Sequence, residues 1–126
     1  MDPVFLVNIS NHPSSKWGEA QLGAARRMGL GIELFDIPFP EVDPTSDEMD
    51  HLVERVVAAL PPYYPQVAMV AGEPVLVIRL VARLQAMGID CYAATTRRVA
   101  VEKDGVKTST FEFHHFRPFP KITLGA

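Results

Sequence analysis

The run Val4–Ser10, VFLVNIS, constrains this chain most. It is rich in large and β-branched apolar residues and shows no polar alternation, which suits a strand buried on both faces. Strands of that kind belong to parallel sheets covered by helices, so the rest of the chain must supply crossovers. It does. A helix is expected from about Trp17 to Met28, carrying Ala20, Ala24, Ala25 and Met28, with Gly29 and Gly31 ending it. Ile32–Ile37 reads as a second strand, closed by Pro38 and Pro40. Thr45 to Glu48, TSDE, has the form of a capping box. Met49, Leu52, Val53, Val56, Val57 and Leu60 follow at helical spacing until Pro61 and Pro62 stop them. Gln66–Ala71 is a third strand. Pro74 is placed as the first residue of a helix reaching Met87, with Gly88 as its cap, and Ile89–Thr95 is a fourth strand.

The pattern then changes. Val99–Lys103 and Val106–Phe116 flank Asp104-Gly105, the signature of a hairpin with a two-residue turn. That register sets Arg97 opposite Glu112 and Glu102 opposite Lys107. The tail from Arg117 holds two prolines and reads as loose. The expected fold is therefore α/β: a Rossmann-like three-layer domain with a mostly parallel sheet and a C-terminal antiparallel β-hairpin. By analogy with other doubly wound folds the parallel strands take the order 2-1-3-4. With 126 residues, 48% of them apolar, residues 1–126 suit one packed domain rather than disorder.

The totals exclude some partners. A formal net charge of −3 gives no general attraction to duplex nucleic acid or to an anionic membrane, though a local basic patch is compatible with it. The longest apolar helix is interrupted by Arg79 and Arg83, so no membrane span is expected. Cys91 is the single cysteine, which forbids an internal disulfide and suits a reducing cytoplasm. It lies in an apolar run and reads as a small buried hydrophobe, not a nucleophile. No basic N-terminal region with a cleavage site is present, so a cytoplasmic location is expected.

In open parallel sheets, ligands bind beyond the carboxyl ends of the strands. Three segments fall there. The first is Ser10, Asn11, His12, Pro13, Ser14, Ser15, Lys16 and Trp17, which leads into a helix N-terminus that favours anions. Lys16 adds full charge, and the His12 imidazole can act as acid or base or simply bond the backbone of its turn. Trp17 can stack a base or serve as core, and Ser14 or Ser15 can bind ligand or cap the helix. The second segment is Gly72-Glu73-Pro74. Gly72 permits close approach of a ligand to the backbone. Glu73 can bind ribose hydroxyls, or it can sit in a helical first turn for electrostatic reasons alone. The third is Thr95-Thr96-Arg97-Arg98, whose hydroxyls and guanidiniums suit a phosphodiester, with a cross-strand ion pair of Arg97 as the structural alternative.

Other chemistry lacks its motifs. His114 and His115, adjacent on a strand, are expected on opposite faces and unable to share a metal. No zinc or calcium spacing occurs, and neither GxGxxG nor a Walker loop is present. No metal and no cofactor is expected.

Val4–Trp17, VFLVNIS-NHPSSKW, resembles the opening of several small CRISPR-linked proteins, in which a buried first strand runs into a His-Pro turn and a helix. These are similar to the CARF nucleotide-sensing domains, Rossmann-like homodimers. Some members, the ring nucleases, degrade cyclic oligoadenylate messengers of type III CRISPR defence. The order of elements agrees along roughly the whole chain, while the motif match is limited to Asn11-His12-Pro13, with Thr95-Thr96-Arg97 as a phosphate-contact segment. The chain has no room for an attached effector domain, so the resemblance implies a stand-alone binder or degrader, most naturally of cyclic tetra-adenylate. It further implies metal-independent cleavage by a ribose 2′-hydroxyl. His12 would move a proton, and Lys16 and Arg97 would stabilise phosphate charge. Ser10, Asn11, Ser14 and Thr96 would orient the ring. A symmetric ligand favours a twofold dimer with the site across its interface.

Three other readings stay open. A non-catalytic sensing or sequestering module needs the same basic patch without a proton-transfer group. A nucleoside-processing glycosidase or transferase would use Glu73 as nucleophile, with Asp36 as the possible second carboxylate. A purely structural partner protein would instead show an exposed apolar patch without a polar pocket.

Overall fold

The computed structural model describes residues 5–28, 33–62 and 66–125. Val4, Ile32 and the expected helix stops Gly29 and Gly31 lie outside the described residues. Five strands form one sheet: β1 (Phe5–Ile9), β2 (Glu33–Ile37), β3 (Gln66–Val70), β4 (Asp90–Lys103) and β5 (Val106–Pro118), in the order β2-β1-β3-β4-β5. The first four run parallel and β5 returns antiparallel to β4. Three helices cross between them: α1 (Glu19–Arg27), α2 (Asp50–Ala59) and α3 (Pro74–Ala86).

β1 is central because its side chains can be buried on both faces. Val7 and Ile9 join the core beneath α2 and α3, together with Val56, Val70, Leu76, Leu80 and Leu84. Leu6 faces the other way and packs with Trp17, Ala25 and Met69 beneath α1. The strand alternation thus divides the interior into two layers. Cys91 belongs to the α2/α3 layer, where burial pushes its thiol up to about 12, so it packs as a hydrophobe and is not a thiolate. None of the described helices is long and apolar enough to cross a membrane.

Three expectations need correction. The capping box does not form. Asp43 Oδ1 takes both the Thr45 amide (2.9 Å) and the Thr45 hydroxyl (2.8 Å), and α2 starts only after Met49, without a side-chain cap. The first helix starts two residues late, because Ser14–Lys16 makes a separate 3₁₀ turn before Gly18 opens α1. The tail is not loose. The Phe119 amide donates to the Cys91 carbonyl (2.9 Å), and Gln85 bonds both the Pro120 carbonyl (2.9 Å) and the Ile122 amide (2.8 Å). Phe119 and Ile122 pack on the core.

Candidate functional site

β1 and β3 are neighbours in the sheet, yet the chain leaves β1 for α1 on one face and reaches α2 and α3 on the other. The crevice beyond their carboxyl ends is therefore the switch point at which such sheets bind ligands. The turn after β1 and the turn after β3 both open there. The Ala71 amide ties them at the base by donating to the Ile9 carbonyl (3.1 Å), and the Phe39 amide, just after β2, donates to the Ser10 carbonyl (3.3 Å).

The turn after β1 is held by a polar network that begins inside the sheet. Asn8 is buried in β1, and a buried amide must find partners. Its Nδ2 donates to the His12 carbonyl (2.9 Å) and to Asp36 Oδ1 on β2 (2.9 Å). The Ser10 hydroxyl donates to Asn8 Oδ1 (2.7 Å) and accepts from the His12 amide (3.1 Å). The Trp17 indole N–H also reaches the His12 carbonyl (3.1 Å). Ser14 donates its amide to Asp36 Oδ1 (3.1 Å) and its hydroxyl to Asp36 Oδ2 (2.9 Å). Partial burial pulls the Asp36 pKa up, but the hydrogen bonds from Asn8 and Ser14 outweigh it and hold the carboxyl below its ordinary value.

This network divides the candidate residues. Ser10 and Trp17 are buried, and Ser14 is committed to Asp36. Trp17 packs in the α1 layer, its ring 6.0 Å from that of Phe116. The side chains of Asn11, His12, Ser15 and Lys16 are exposed, and they have no hydrogen-bond or ion-pair partner among the described residues.

The turn after β3 is built differently. Glu73 caps α3, its two carboxylate oxygens accepting the amides of Val75 (3.1 Å) and Leu76 (2.8 Å). The charge and the N–H groups at that helix start satisfy one another. Gly72 is small because of Phe39. A Cβ added at position 72 would stand 2.5 Å from the buried Phe39 ring.

The third segment divides between the faces. Cys91 lies in the α2/α3 layer and Ala94 in the α1 layer, so alternation sends Thr96 and Arg98 towards α1 and Thr95 and Arg97 towards the opposite face. Thr96 pairs with Phe113, whose ring stands 5.0 Å from Phe116 beside Trp17. Thr96 and Arg98 therefore share the α1 side with the turn after β1, and Arg97 faces away, opposite Glu112.

A β-bulge overturns one expectation. Thr95 pairs with His115 while Thr96 pairs with Phe113, so His114 is an extra residue in β5. The bulge brings His114 and His115 together instead of placing them on opposite faces, with their Nδ1 atoms 2.7 Å apart. Thr95 Oγ1 lies 3.0 Å from the His115 carbonyl oxygen and 2.9 Å from His115 Nδ1. No group of three or more metal-ligating side chains occurs among the described residues.

A separate cavity lies away from the strand ends. It is 770 Å³, between α2, α3 and the C-terminal segment, and two ion pairs line it, Arg79–Asp50 (3.6 Å) and Arg83–Glu54 (3.3 Å). Its volume reflects a groove between two helices. The strand-end site is the one supported by the placement of unpartnered chemical groups.

Sequence reading missed Asn8 and assigned Asp36 no structural role. The signal was present, since an asparagine inside an apolar strand demands partners.

The model of the Uncharacterized protein MJ1673 family matches residues 5–117 of the chain. No curated protein and no solved structure matches it.

Proposed function

The chain belongs to the MJ1673 family, and for it we propose the binding and metal-independent cleavage of a cyclic oligoadenylate at the carboxyl edge of the sheet. One observation carries this reading. The backbone of Asn11–Lys16 is pinned by Asn8, Trp17 and Asp36, while the side chains of Asn11, His12, Ser15 and Lys16 remain exposed and have no partner among the described residues. A rigid turn that carries an imidazole and an ammonium suits a phosphodiester. Thr96 and Arg98 lie on the same face and complete a basic, hydroxyl-bearing edge. The resemblance of VFLVNIS-NHPSSKW to CRISPR-linked ring nucleases supports the same ligand class.

In the proposed reaction a ribose 2′-oxygen attacks the adjacent phosphorus and the bond to the 5′-oxygen breaks, leaving a 2′,3′-cyclic phosphate. His12 takes the 2′ proton or gives one to the departing oxygen. Lys16 and Arg98 stabilise the charge on the phosphate oxygens. Arg97, on the opposite face, contributes only if the ring reaches over the edge of the sheet. The cytoplasm is the proposed location, and the ligand's own symmetry favours a twofold dimer.

Incubation with cyclic tri-, tetra- and hexa-adenylate, with and without EDTA, tests this. Linear products that persist in EDTA are expected. His12→Ala should lower turnover by roughly 10²–10⁴-fold with binding and melting temperature retained. Unchanged turnover in that variant would remove His12 from the chemistry. Intact rings bound by the wild type would favour a sequestering or sensing module, the second reading, which needs the same edge without proton transfer. The glycosidase reading loses ground, because Glu73 and Asp36 both spend their carboxylate oxygens on internal hydrogen bonds.

A further inference from the structure

Apart from Arg98, the outer half of the β4–β5 ribbon has no part in the reading above. β3 pairs with β4 only from Val67↔Asp90 to Met69↔Tyr92, whereas β4 and β5 stay paired out to Lys103↔Val106. Beyond Tyr92, the edge of β4 that faces away from β5 has no strand beside it among the described residues. A two-stranded ribbon alone in water is marginal, and an open edge is a template for another strand. This ribbon also leaves apolar side chains in solvent: Val101 is 48% exposed, Val106 60% and Phe111 70%. β4 carries no proline to protect the edge.

The order of residues along that edge identifies its partner. Arg98-Val99-Ala100-Val101-Glu102 is self-complementary when read against itself in reverse. With Ala100 on a twofold axis normal to the sheet, antiparallel pairing sets Ala100 against the partner's Ala100 and Val99 against the partner's Val101. It also sets Arg98 against the partner's Glu102, and symmetry repeats each unlike pair. Directly opposite residues share a face, so these are true side-chain neighbours. Arg98 Nε is held by Ser109 Oγ on its own β5 (3.0 Å), which leaves the terminal nitrogens for a carboxylate across the axis. Moving the axis to Val99 loses the Arg98–Glu102 match, and moving it to Val101 replaces it with Arg98 against Asp104 but sets Val99 against Lys103 and Ala100 against Glu102. Moving it by two, to Arg98 or Glu102, sets like charges face to face.

We propose that this chain forms a twofold dimer by antiparallel β4–β4 pairing centred on Ala100, giving a four-stranded sheet of β5, β4 and their two copies. The pairing carries one unfavourable pair, Arg97 opposite the partner's Lys103, which the axis repeats at each solvent-exposed end. It also has a consequence for the site. Each protomer's turn lies along the edge that β3 leaves empty, with the partner's Asp104 opposite Thr96. The proposal stands on strand register and does not rest on the nucleotide reading, and its test reads mass and cross-linking, not turnover.

Ala100→Cys tests the axis. Directly opposed antiparallel residues have Cα atoms about 4.5–5.5 Å apart, within disulfide reach. Under oxidising conditions Ala100→Cys should give a covalent dimer, while Ser109→Cys, its neighbour on β5, should not. Cys91 is buried and does not compete. By light scattering, Glu102→Arg should weaken the dimer by about tenfold or more, and the double variant Arg98→Glu/Glu102→Arg should restore most of it. A wild-type chain that stays monomeric at every concentration would overturn the proposal. So would cross-linking through Ser109→Cys in preference to Ala100→Cys, or a double variant no better than the single one.

Discussion

The turns after β1 and β3 leave neighbouring strands at the same edge, and both lead to helices on the faces of the sheet. Both look chemical in sequence, one with His12 and Lys16, the other with Glu73 beside a glycine. Their structures use polar groups in opposite ways. After β3, the carboxylate serves the backbone of its own helix and the glycine makes room for Phe39. After β1, the backbone is served from outside the exposed part of the turn, by Asn8, Ser10, Trp17 and Asp36. The side chains at positions 11, 12, 15 and 16 are left over. A polar residue at a strand end is available for chemistry only when something else satisfies the local backbone.

Substitutions can break this contrast. The largest expected effect on folding comes from Asn8→Ala, which strips partners from the His12 carbonyl, Asp36 and the Ser10 hydroxyl in a buried setting. It should cost about 2–4 kcal/mol in a denaturant titration and disorder the turn, so ligand binding falls with it. Gly72→Ala comes next. The added methyl meets the Phe39 ring, and the expected loss is roughly 1–3 kcal/mol, part of it recovered by Phe39→Leu in the same chain. Glu73→Ala should cost about 1 kcal/mol as a lost cap and leave affinity for the ring unchanged. Lys16→Ala should do the reverse, weakening ring binding with no change in melting temperature. If Glu73→Ala lowers affinity as much as Lys16→Ala does, both turns hold the ring and the contrast between them fails.

The smallest effect sharpens the contrast through pH. The folded-state pKa of Asp36 lies below its unfolded value, so its contribution is fully present above the unfolded carboxylate pKa, near 3.8. The contribution is lost as pH falls through the folded value. Asp36→Asn should flatten the acid limb of a melting-temperature profile and leave the neutral region little changed. Equal acid sensitivity in both proteins would show that Asp36 does not hold the turn.

Much of this was legible in the residues. The buried run at β1 gave the parallel sheet, the 2-1-3-4 order agreed, and Asp104-Gly105 fixed the hairpin so that Arg97 falls opposite Glu112 as expected. What escaped depended on competition between local partners. Thr45 could cap a helix, but Asp43 reaches it first, two residues away. His114 and His115 obey strand alternation until a single inserted residue cancels it. The tail reads as loose in sequence because its anchors are long-range: Gln85 grips Pro120 and Ile122 from across the fold. The division of Thr95–Arg98 between two faces was available from strand alternation alone, once β4 was seen to continue unbroken through it.

The network centred on the His12 carbonyl has an evolutionary consequence. Residues that keep the turn in shape and residues that can touch a ligand are separate sets. Mutation can rewrite positions 11, 12, 15 and 16 without drawing on the stability of the domain, while Asn8, Ser10, Trp17 and Asp36 hold the shape constant. A scaffold arranged this way can change the groups it presents at this edge through single steps, each of them folded, which is the condition for a surface to diversify quickly under selection.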